Sequence, residues 1–118
     1  MKNVHIYDNY VVSETEYQNA DLLLLTSSYE GFGLVVGEAC SQSTPVISTK
    51  WDGPIDEIVV DKENGLVIDS SSPSVFADEI VSLLNDKERL IRYKQSAFDF
   101  VKHFSKEEII KRWREILD

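Results

Sequence analysis

The sequence is poor in the side chains that most metal and redox sites require. Cys40 is the only cysteine among the 118 residues, so no internal disulfide can form and thiolates cannot build a zinc cluster. The only two histidines, His5 and His103, lie far apart in the sequence and in unlike contexts, which disfavours a metal site built on them. We therefore expect the chain to hold no metal.

Long hydrophobic runs are also missing. The longest apolar run extends from Leu22 to Leu25, whereas a membrane-spanning helix needs about 20 apolar residues. The first residues lead into a short strand pattern and not into the hydrophobic stretch of a signal peptide. We predict a cytoplasmic location, with peripheral contact at the inner face of the membrane left open.

Basic residues are scarce relative to acidic ones. The chain has 12 lysines and arginines against 21 aspartates and glutamates, a formal net charge of −9. Proteins that bind nucleic acid neutralise its phosphates with a basic surface, so we do not expect nucleic acid as a partner. A small anionic ligand remains possible, because helix N-terminal amides hold a phosphate whatever the net charge.

Strand and helix patterns alternate along the chain. Strands are predicted at residues 4–7, 21–25, 45–48 and 66–68. Short helices are predicted at 13–19, 33–41 and 53–59, and longer ones begin near 72, near 90 and at 105. This alternation predicts an α/β fold with a parallel sheet, a single domain over 1–118 with a helical C-terminal tail.

The spacing of apolar residues predicts which helix faces are buried. In the helix after residue 33, the residues predicted to be buried are Val35, Val36, Ala39 and Cys40. In the helix that begins near 72, they are Phe76, Ile80, Leu83 and Leu84. In the last helix, they are Ile109, Trp113, Ile116 and Leu117.

Four loops, at 8–13, 26–33, 49–53 and 69–72, follow predicted strands. Ligands of open α/β sheets bind beyond the carboxyl ends of the strands, so these loops are candidate site segments. The second loop carries Glu30 and then Phe32 between two glycines. It leads into a helix whose first free amides, near Gly33, Leu34 and Val35, favour an anion.

Glu38 extends this candidate site. It lies one helical turn beyond Leu34 on the same face, so its carboxylate can line the same crevice as Glu30. A carboxylate is a good acceptor for vicinal hydroxyls. Phosphate at the helix tip with hydroxylated rings on either side is the order found in a nucleotide-sugar.

The segment SSYEGFGLVVGEA at 27–39, in which seven residues separate Glu30 from Glu38, resembles the E-x7-E motif of retaining GT-B glycosyltransferases of family 4, also called glycosyl transferases group 1. The resemblance continues through TPVI at 44–47, GPIDEIV at 53–59 and NGLV at 64–67, and ends in the tail with HFS at 103–105. It implies a Rossmann-like three-layer domain, the C-terminal, donor-binding part of an enzyme longer than this chain.

The resemblance also implies roles for individual residues. Glu30 would be the catalytic residue that contacts hydroxyls of the donor sugar, and Glu38 would hold the ribose hydroxyls. Tyr10, in the loop at 8–11, would lie near the base. Sugar and diphosphate would meet the backbone amides of Phe32, Gly33, Leu34 and Val35. The donor would be a UDP-, GDP- or ADP-sugar, and the sugar would pass to a glycan or lipid-linked glycan with retention and without a metal.

Two positions depart from the pattern of the family. Ser43 stands where a glycine usually precedes Thr-Pro-Val, and Asp8 stands where a glycine usually follows the strand. The first substitution alters the local turn, and the second bears on the contact with the base.

The resemblance further implies that an N-terminal acceptor domain is missing, together with two strands of the C-terminal domain and the Arg and Lys that neutralise the diphosphate. We therefore expect the isolated chain to be inactive in sugar transfer. In a doubly wound sheet the two missing strands separate 4–7 from 21–25. Either 4–7 pairs directly with 21–25, or the exposed edge forms a homodimer.

Two other interpretations stay open. The chain could be a non-enzymatic nucleotide-sugar-binding subunit of a split transferase. It could also be a flavodoxin-like interaction domain, although a receiver of that type has clustered acidic residues after its first strand, and only Asp8 occurs there.

Overall fold

A computed structural model describes residues 2–28, 33–53, 55–60 and 64–118. The strands are β1 (Leu23–Leu25), β2 (Val46–Thr49) and β3 (Gly65–Ile68). The helices are α1 (Glu14–Asn19), α2 (Leu34–Ser41), α3 (Ile55–Ile58), α4 (Pro73–Asn85), α5 (Lys87–Val101) and α6 (Lys106–Leu117), with a 3-10 turn at Lys102–Phe104.

The strands form a parallel sheet in the order β1-β2-β3. Leu24 is in register with Ile47, which is in register with Leu66 on the other side. Parallel neighbours need a crossover, and a helix lies in each connection. The predicted α/β fold with a parallel sheet and a helical tail is therefore confirmed.

Successive residues of a strand face opposite sides of the sheet, and each side carries its own core cluster. Val46 belongs to the cluster that contains Tyr17, Val36, Trp51 and Ala97. Its neighbour Ile47 belongs to the second cluster, whose buried residues also include Leu66, Ile68, Leu83 and Tyr93. Helices thus cover both faces, which gives the three predicted layers.

Two helix termini are closed by hydrogen bonds between residues that are close in the sequence, and the first was predicted. At the start of α1, the Ser13 hydroxyl accepts a hydrogen bond from the Glu16 amide, and the Glu16 carboxylate accepts one from the Ser13 amide, which is a complete capping box. At the end of α2, Ser43 has a φ of 61°, in the left-handed region. Its amide and that of Thr44 close the helix on the carbonyls of Cys40 and Ala39.

The predicted strand at 4–7 is wrong. These residues lie in no strand, and Val4, Ile6 and Tyr7 are 52%, 83% and 66% exposed. A strand is stable only beside a hydrogen-bonded neighbour. Within the described residues β1 is an edge strand bonded only to β2, so the first of the two expected alternatives, pairing of 4–7 with β1, is wrong, and the homodimer stays a prediction.

Part of the predicted helix burial is wrong as well. Val36, Ala39 and Cys40 are buried as expected, but Val35 is only half-buried, and Leu84 is exposed on α4. In α6, Trp113 is 58% and Ile116 is 75% exposed, and no residue is buried. Helical spacing identifies the apolar face of α6, but neither described core cluster includes a residue from that helix. Within the described ranges, no helix is both long and apolar enough to cross a membrane.

Candidate functional site

A groove of about 480 Å³ opens between the segment before α1 and one side of α2. We call it the α1–α2 groove. Its lining residues are Tyr10, Val11, Val12, Glu14, Tyr17, Val35, Glu38 and Ser41. The structure thus brings together three residues that the sequence singled out for ligand binding, namely Tyr10, Val35 and Glu38.

Glu38 is an exposed residue of α2, but its carboxylate accepts a hydrogen bond from a buried residue. The Tyr17 hydroxyl donates a hydrogen bond to its Oε2 over 3.1 Å. Tyr17 itself is buried, at 6% exposure. Burial, and then the hydrogen bond to Glu38, raise the pKa of Tyr17, so the phenol remains a donor at neutral pH.

Tyr10 is tied to the first turn of α1. Its hydroxyl donates to Glu16 Oε1 over 2.7 Å, while Oε2 of the same carboxylate accepts from the Ser13 amide over 2.8 Å. Hydrogen bonding to Glu16 raises the pKa of Tyr10, and the bond from the Ser13 backbone lowers the pKa of Glu16. The capping box therefore fixes one wall of the groove as well as the start of the helix.

Polar contacts hold α1 against the end of α2. The Thr44 hydroxyl donates to the Tyr17 carbonyl over 2.6 Å, and the side-chain Nε2 of Gln18 donates to Gln42 Oε1 over 2.7 Å. Thr44 is buried, so its bond is shielded from solvent. The two walls of the groove are therefore fixed relative to each other.

The tip of α2 begins at Gly33, the N-cap residue, which has a φ of 72°. The left-handed region accommodates glycine far better than other residues. Gly33 and Leu34 line a separate apolar cavity of about 80 Å³, together with Cys40, Ile58 and Phe104. The predicted binding residues thus fall on two sides of α2, with Val35 and Glu38 on the groove side.

Glu30 and Phe32 lie outside the described residues. The predicted roles of Glu30 toward the donor sugar and of the Phe32 amide toward the diphosphate therefore remain predictions.

A second groove, of about 650 Å³, lies where the strands end, and we call it the strand-end groove. It is lined by Thr26, Ser27, Ser28, Thr49, Lys50, Asp69, Ser70 and Ser71. Thr49 donates to the Ser27 carbonyl over 3.2 Å, and Lys50 lies 3.8 Å from Asp69. The first residues after each described strand converge here, as expected at the carboxyl edge of a parallel sheet.

Sequence reasoning missed Tyr17 and Thr44, although a signal for the first is present. In the α1 sequence ETEYQN, Tyr17 is the only residue with a large apolar body, so it is the one that must face the core. Its contact with Glu38 spans 21 residues, and no local pattern predicts it. Among the described residues, no group of at least three His, Cys, Asp or Glu side chains could hold a metal ion.

The chain is similar to known glycosyltransferases. The model of the family described as glycosyl transferases group 1 matches residues 3–100. The D-inositol 3-phosphate glycosyltransferase of Corynebacterium efficiens is 37% identical over 89 residues, which are 75% of this chain and 21% of that protein. The poly(glycerol-phosphate) alpha-glucosyltransferase of Bacillus subtilis is 32% identical over 100 residues, 85% of this chain and 15% of that protein. The chain thus spans about a fifth of the length of such relatives, or less.

The chain is also similar to solved structures. The C-terminal domain of a glycosyl transferase group 1 family protein (LpcC) from Francisella tularensis aligns with a TM-score of 0.66 and 31% identity, over 80% of this chain and 50% of that domain. A GtfA/B complex aligns with a TM-score of 0.73 and 21% identity, over 92% of this chain and 23% of that chain, and supports the fold alone. The chain belongs to the glycosyl transferases group 1 family, and its fold is part of a GT-B C-terminal domain.

Proposed function

We propose that the chain is the nucleotide-binding part of a glycosyltransferase donor domain, and that the α1–α2 groove receives the nucleoside of a nucleotide-diphosphate sugar. The observation that carries this proposal is the Glu38 carboxylate, hydrogen-bonded by Tyr17 and facing the same groove as Tyr10 and Val35. The groove volume of about 480 Å³ is within the range of small-ligand sites.

The chemistry of the groove suits a nucleoside. Glu38 offers carboxylate oxygens to the ribose hydroxyls, and Val11 and Val12 offer apolar surface to the base. The diphosphate would then reach the amides of Leu34 and Val35 at the tip of α2, where the helix dipole favours an anion. The sugar beyond it would meet Glu30.

The proposed reaction is transfer of the sugar with retention at the anomeric carbon, with the nucleoside diphosphate as the leaving group and without a metal. Such a reaction needs positive charge close to the departing diphosphate. The charged side chains that line the α1–α2 groove are Glu14 and Glu38, both acidic. We therefore propose that the cations come from polypeptide outside these 118 residues, and that the chain alone does not transfer sugar.

The partners in this proposal are the rest of the donor domain and an N-terminal acceptor domain. The chain aligns with only half of an isolated C-terminal domain, and one edge of β1 is unpaired within the described residues. On that edge Leu24 is 46% exposed. We propose that further parallel strands pair with β1 there, and a second copy of the chain is the alternative occupant. We further propose that the sugar is transferred to a glycan or a lipid-linked glycan. The proposed location of the enzyme is the cytoplasm, at the inner face of the membrane.

Titration of the chain with UDP-, GDP- and ADP-sugars, followed by NMR chemical shifts, tests donor binding. We expect saturable shifts at groove residues for at least one donor, with a Kd of about 1 mM, or −4 kcal/mol. Glu38→Ala should weaken binding roughly tenfold or more, because a hydrogen bond to a charged group contributes about 1.5–3 kcal/mol. Glu115→Ala removes an exposed carboxylate from α6 and should leave the affinity unchanged.

Two results would count against the proposal. One is the absence of saturable shifts with every donor, which would mean that the chain alone has no donor-binding activity. The other is equal affinity in wild type and Glu38→Ala. Light scattering tests separately whether a second copy of the chain pairs with β1. A monodisperse monomer would exclude this homodimer.

A further inference from the structure

We infer that Tyr17 is a positioning residue, which holds the Glu38 carboxylate in place for the two hydroxyls of a ribose ring. The inference rests on the proposed function and makes it more specific, because it selects a ribonucleoside diphosphate over its deoxy counterpart as the ligand of the α1–α2 groove.

Glu38 on its own would be poorly ordered. It is an exposed residue of a helix, and a free glutamate side chain has several rotamers to choose from. The hydrogen bond from the Tyr17 hydroxyl fixes Oε2 at 3.1 Å. The other oxygen, Oε1, keeps its acceptor capacity for a ligand, and Oε2 has a second lone pair.

Tyr17 is suited to this role because its own position is fixed. It is 6% exposed and belongs to the core cluster with Val36, Ala39 and Cys40 of α2. Its carbonyl accepts hydrogen bonds from Thr44 over 2.6 Å and from Ala20 over 3.1 Å. The fold therefore orders the acceptor before a ligand arrives, which lowers the entropy cost of binding.

Such an arrangement predicts discrimination by hydroxyl groups. A site built to accept hydrogen bonds from a ligand disfavours an analogue that lacks the donors, because the ordered acceptor is left unpaired. Loss of the Tyr17 hydroxyl should then weaken binding of a ribonucleoside diphosphate more than binding of its 2′,3′-dideoxy counterpart. A purely structural role of Tyr17 would weaken both equally.

The test compares UDP, GDP and ADP with their 2′,3′-dideoxy counterparts by NMR titration of wild type, Tyr17→Phe and Tyr93→Phe. Tyr93 is the matched control, since it is buried to a similar degree but belongs to the core cluster on the opposite face of the sheet. We expect Tyr17→Phe to weaken the ribonucleotide about 5- to 20-fold and the dideoxynucleotide less than about twofold, the range expected for one lost hydrogen bond. Tyr93→Phe should change neither affinity. Equal losses for both ligands, or no loss, would overturn the inference.

A second arm needs no ligand. With ¹³C-labelled tyrosine, the Tyr17 phenol can be titrated in wild type and in Glu38→Gln, where the pKa of Tyr17 should fall because a neutral amide replaces the carboxylate that accepts its hydrogen bond. An unchanged pKa would mean that the contact is absent, and the inference would fail even if nucleotides bind. A lowered pKa would show that the contact between Tyr17 and Glu38 is present. If no ribonucleotide bound to the same protein, both the proposed function and the positioning role would be rejected.

Discussion

The Thr44 hydroxyl and the Tyr17 carbonyl are joined by a hydrogen bond of 2.6 Å that connects α1 to the turn between α2 and β2. We predict that Thr44→Val lowers the free energy of unfolding by about 1 kcal/mol, the net value of one hydrogen bond. The loss is limited because the carbonyl keeps its bond from the Ala20 amide. Urea denaturation followed by circular dichroism measures the change. Thr15→Val, the same replacement at an exposed site of α1, should stay within about 0.5 kcal/mol of wild type, and similar losses in both variants would contradict the assignment.

Ser43 holds a backbone conformation that suits glycine. Its φ is 61°, and this left-handed geometry costs a residue with a β-carbon about 1–2 kcal/mol. Glycine is more flexible in the unfolded chain, which offsets part of the gain, so Ser43→Gly should raise the free energy of unfolding by about 0.5–1 kcal/mol. Ser43→Ala keeps the β-carbon and should show no such gain. A stability of Ser43→Gly at or below that of Ser43→Ala would disprove the prediction.

Two glycines should respond in opposite ways to the same substitution. A β-carbon on Gly65 would overlap the backbone of Val46, its partner in the neighbouring strand. Gly65→Ala should therefore separate β2 from β3 and cost at least about 2 kcal/mol. A β-carbon on Gly37 meets no described atom within 4 Å. Gly37→Ala should thus stabilise α2 by about 0.5–1 kcal/mol. Thermal unfolding of the two variants would show shifts of opposite sign, and shifts of the same sign would contradict the packing at Gly65.

Cys40 should be unreactive until the chain unfolds. Burial raises the pKa of its thiol from 9.0 to about 11, and the hydrogen bond from Asn64 offsets only part of that effect. Because the folded pKa lies above the unfolded one, the thiol contributes stability that is fully present below about pH 9 and is lost as the pH rises toward 11. Urea denaturation between these pH values should show a steeper loss of stability in wild type than in Cys40→Ala.

Alkylation of Cys40 supplies a second measurement. At pH 8 without denaturant, iodoacetamide should label the thiol only at the rate at which the structure opens, since the reactive species is the thiolate. Labelling should become rapid in urea. Immediate stoichiometric labelling of the native chain would show that the thiol is not buried as described.

Local features of the sequence were sufficient to predict most of the fold. Ser13 and Glu16 define the start of α1 through side chains that bond to nearby backbone amides. An apolar run after a proline identified β2, and Ser72 before Pro73 marked the start of α4. These signals succeed because the interactions behind them lie within a few residues of each other.

Some predictions that depend on distant partners failed. The segment at 4–7 has the composition of a strand but pairs with no described strand, although one edge of β1 is unpaired there. The apolar stripe of α6 is present, yet Trp113 on it remains exposed. For the site, the resemblance indicated Glu38 and Tyr10, whereas the Tyr17 hydroxyl that orders Glu38 comes from 21 residues away and could be found only in the folded structure.

The order of the strands in the sheet has a consequence for synthesis and folding. Each strand pairs with the next one in the chain, so β1, β2 and β3 can assemble in the order in which the ribosome releases them. Each pairing closes only the loop around one helix, which keeps its entropic cost small. Within the described residues one edge of β1 stays unpaired, so its backbone groups can pair with any strand that reaches them. Aggregation during synthesis should therefore begin at that edge, and early arrival of the covering strands should suppress it.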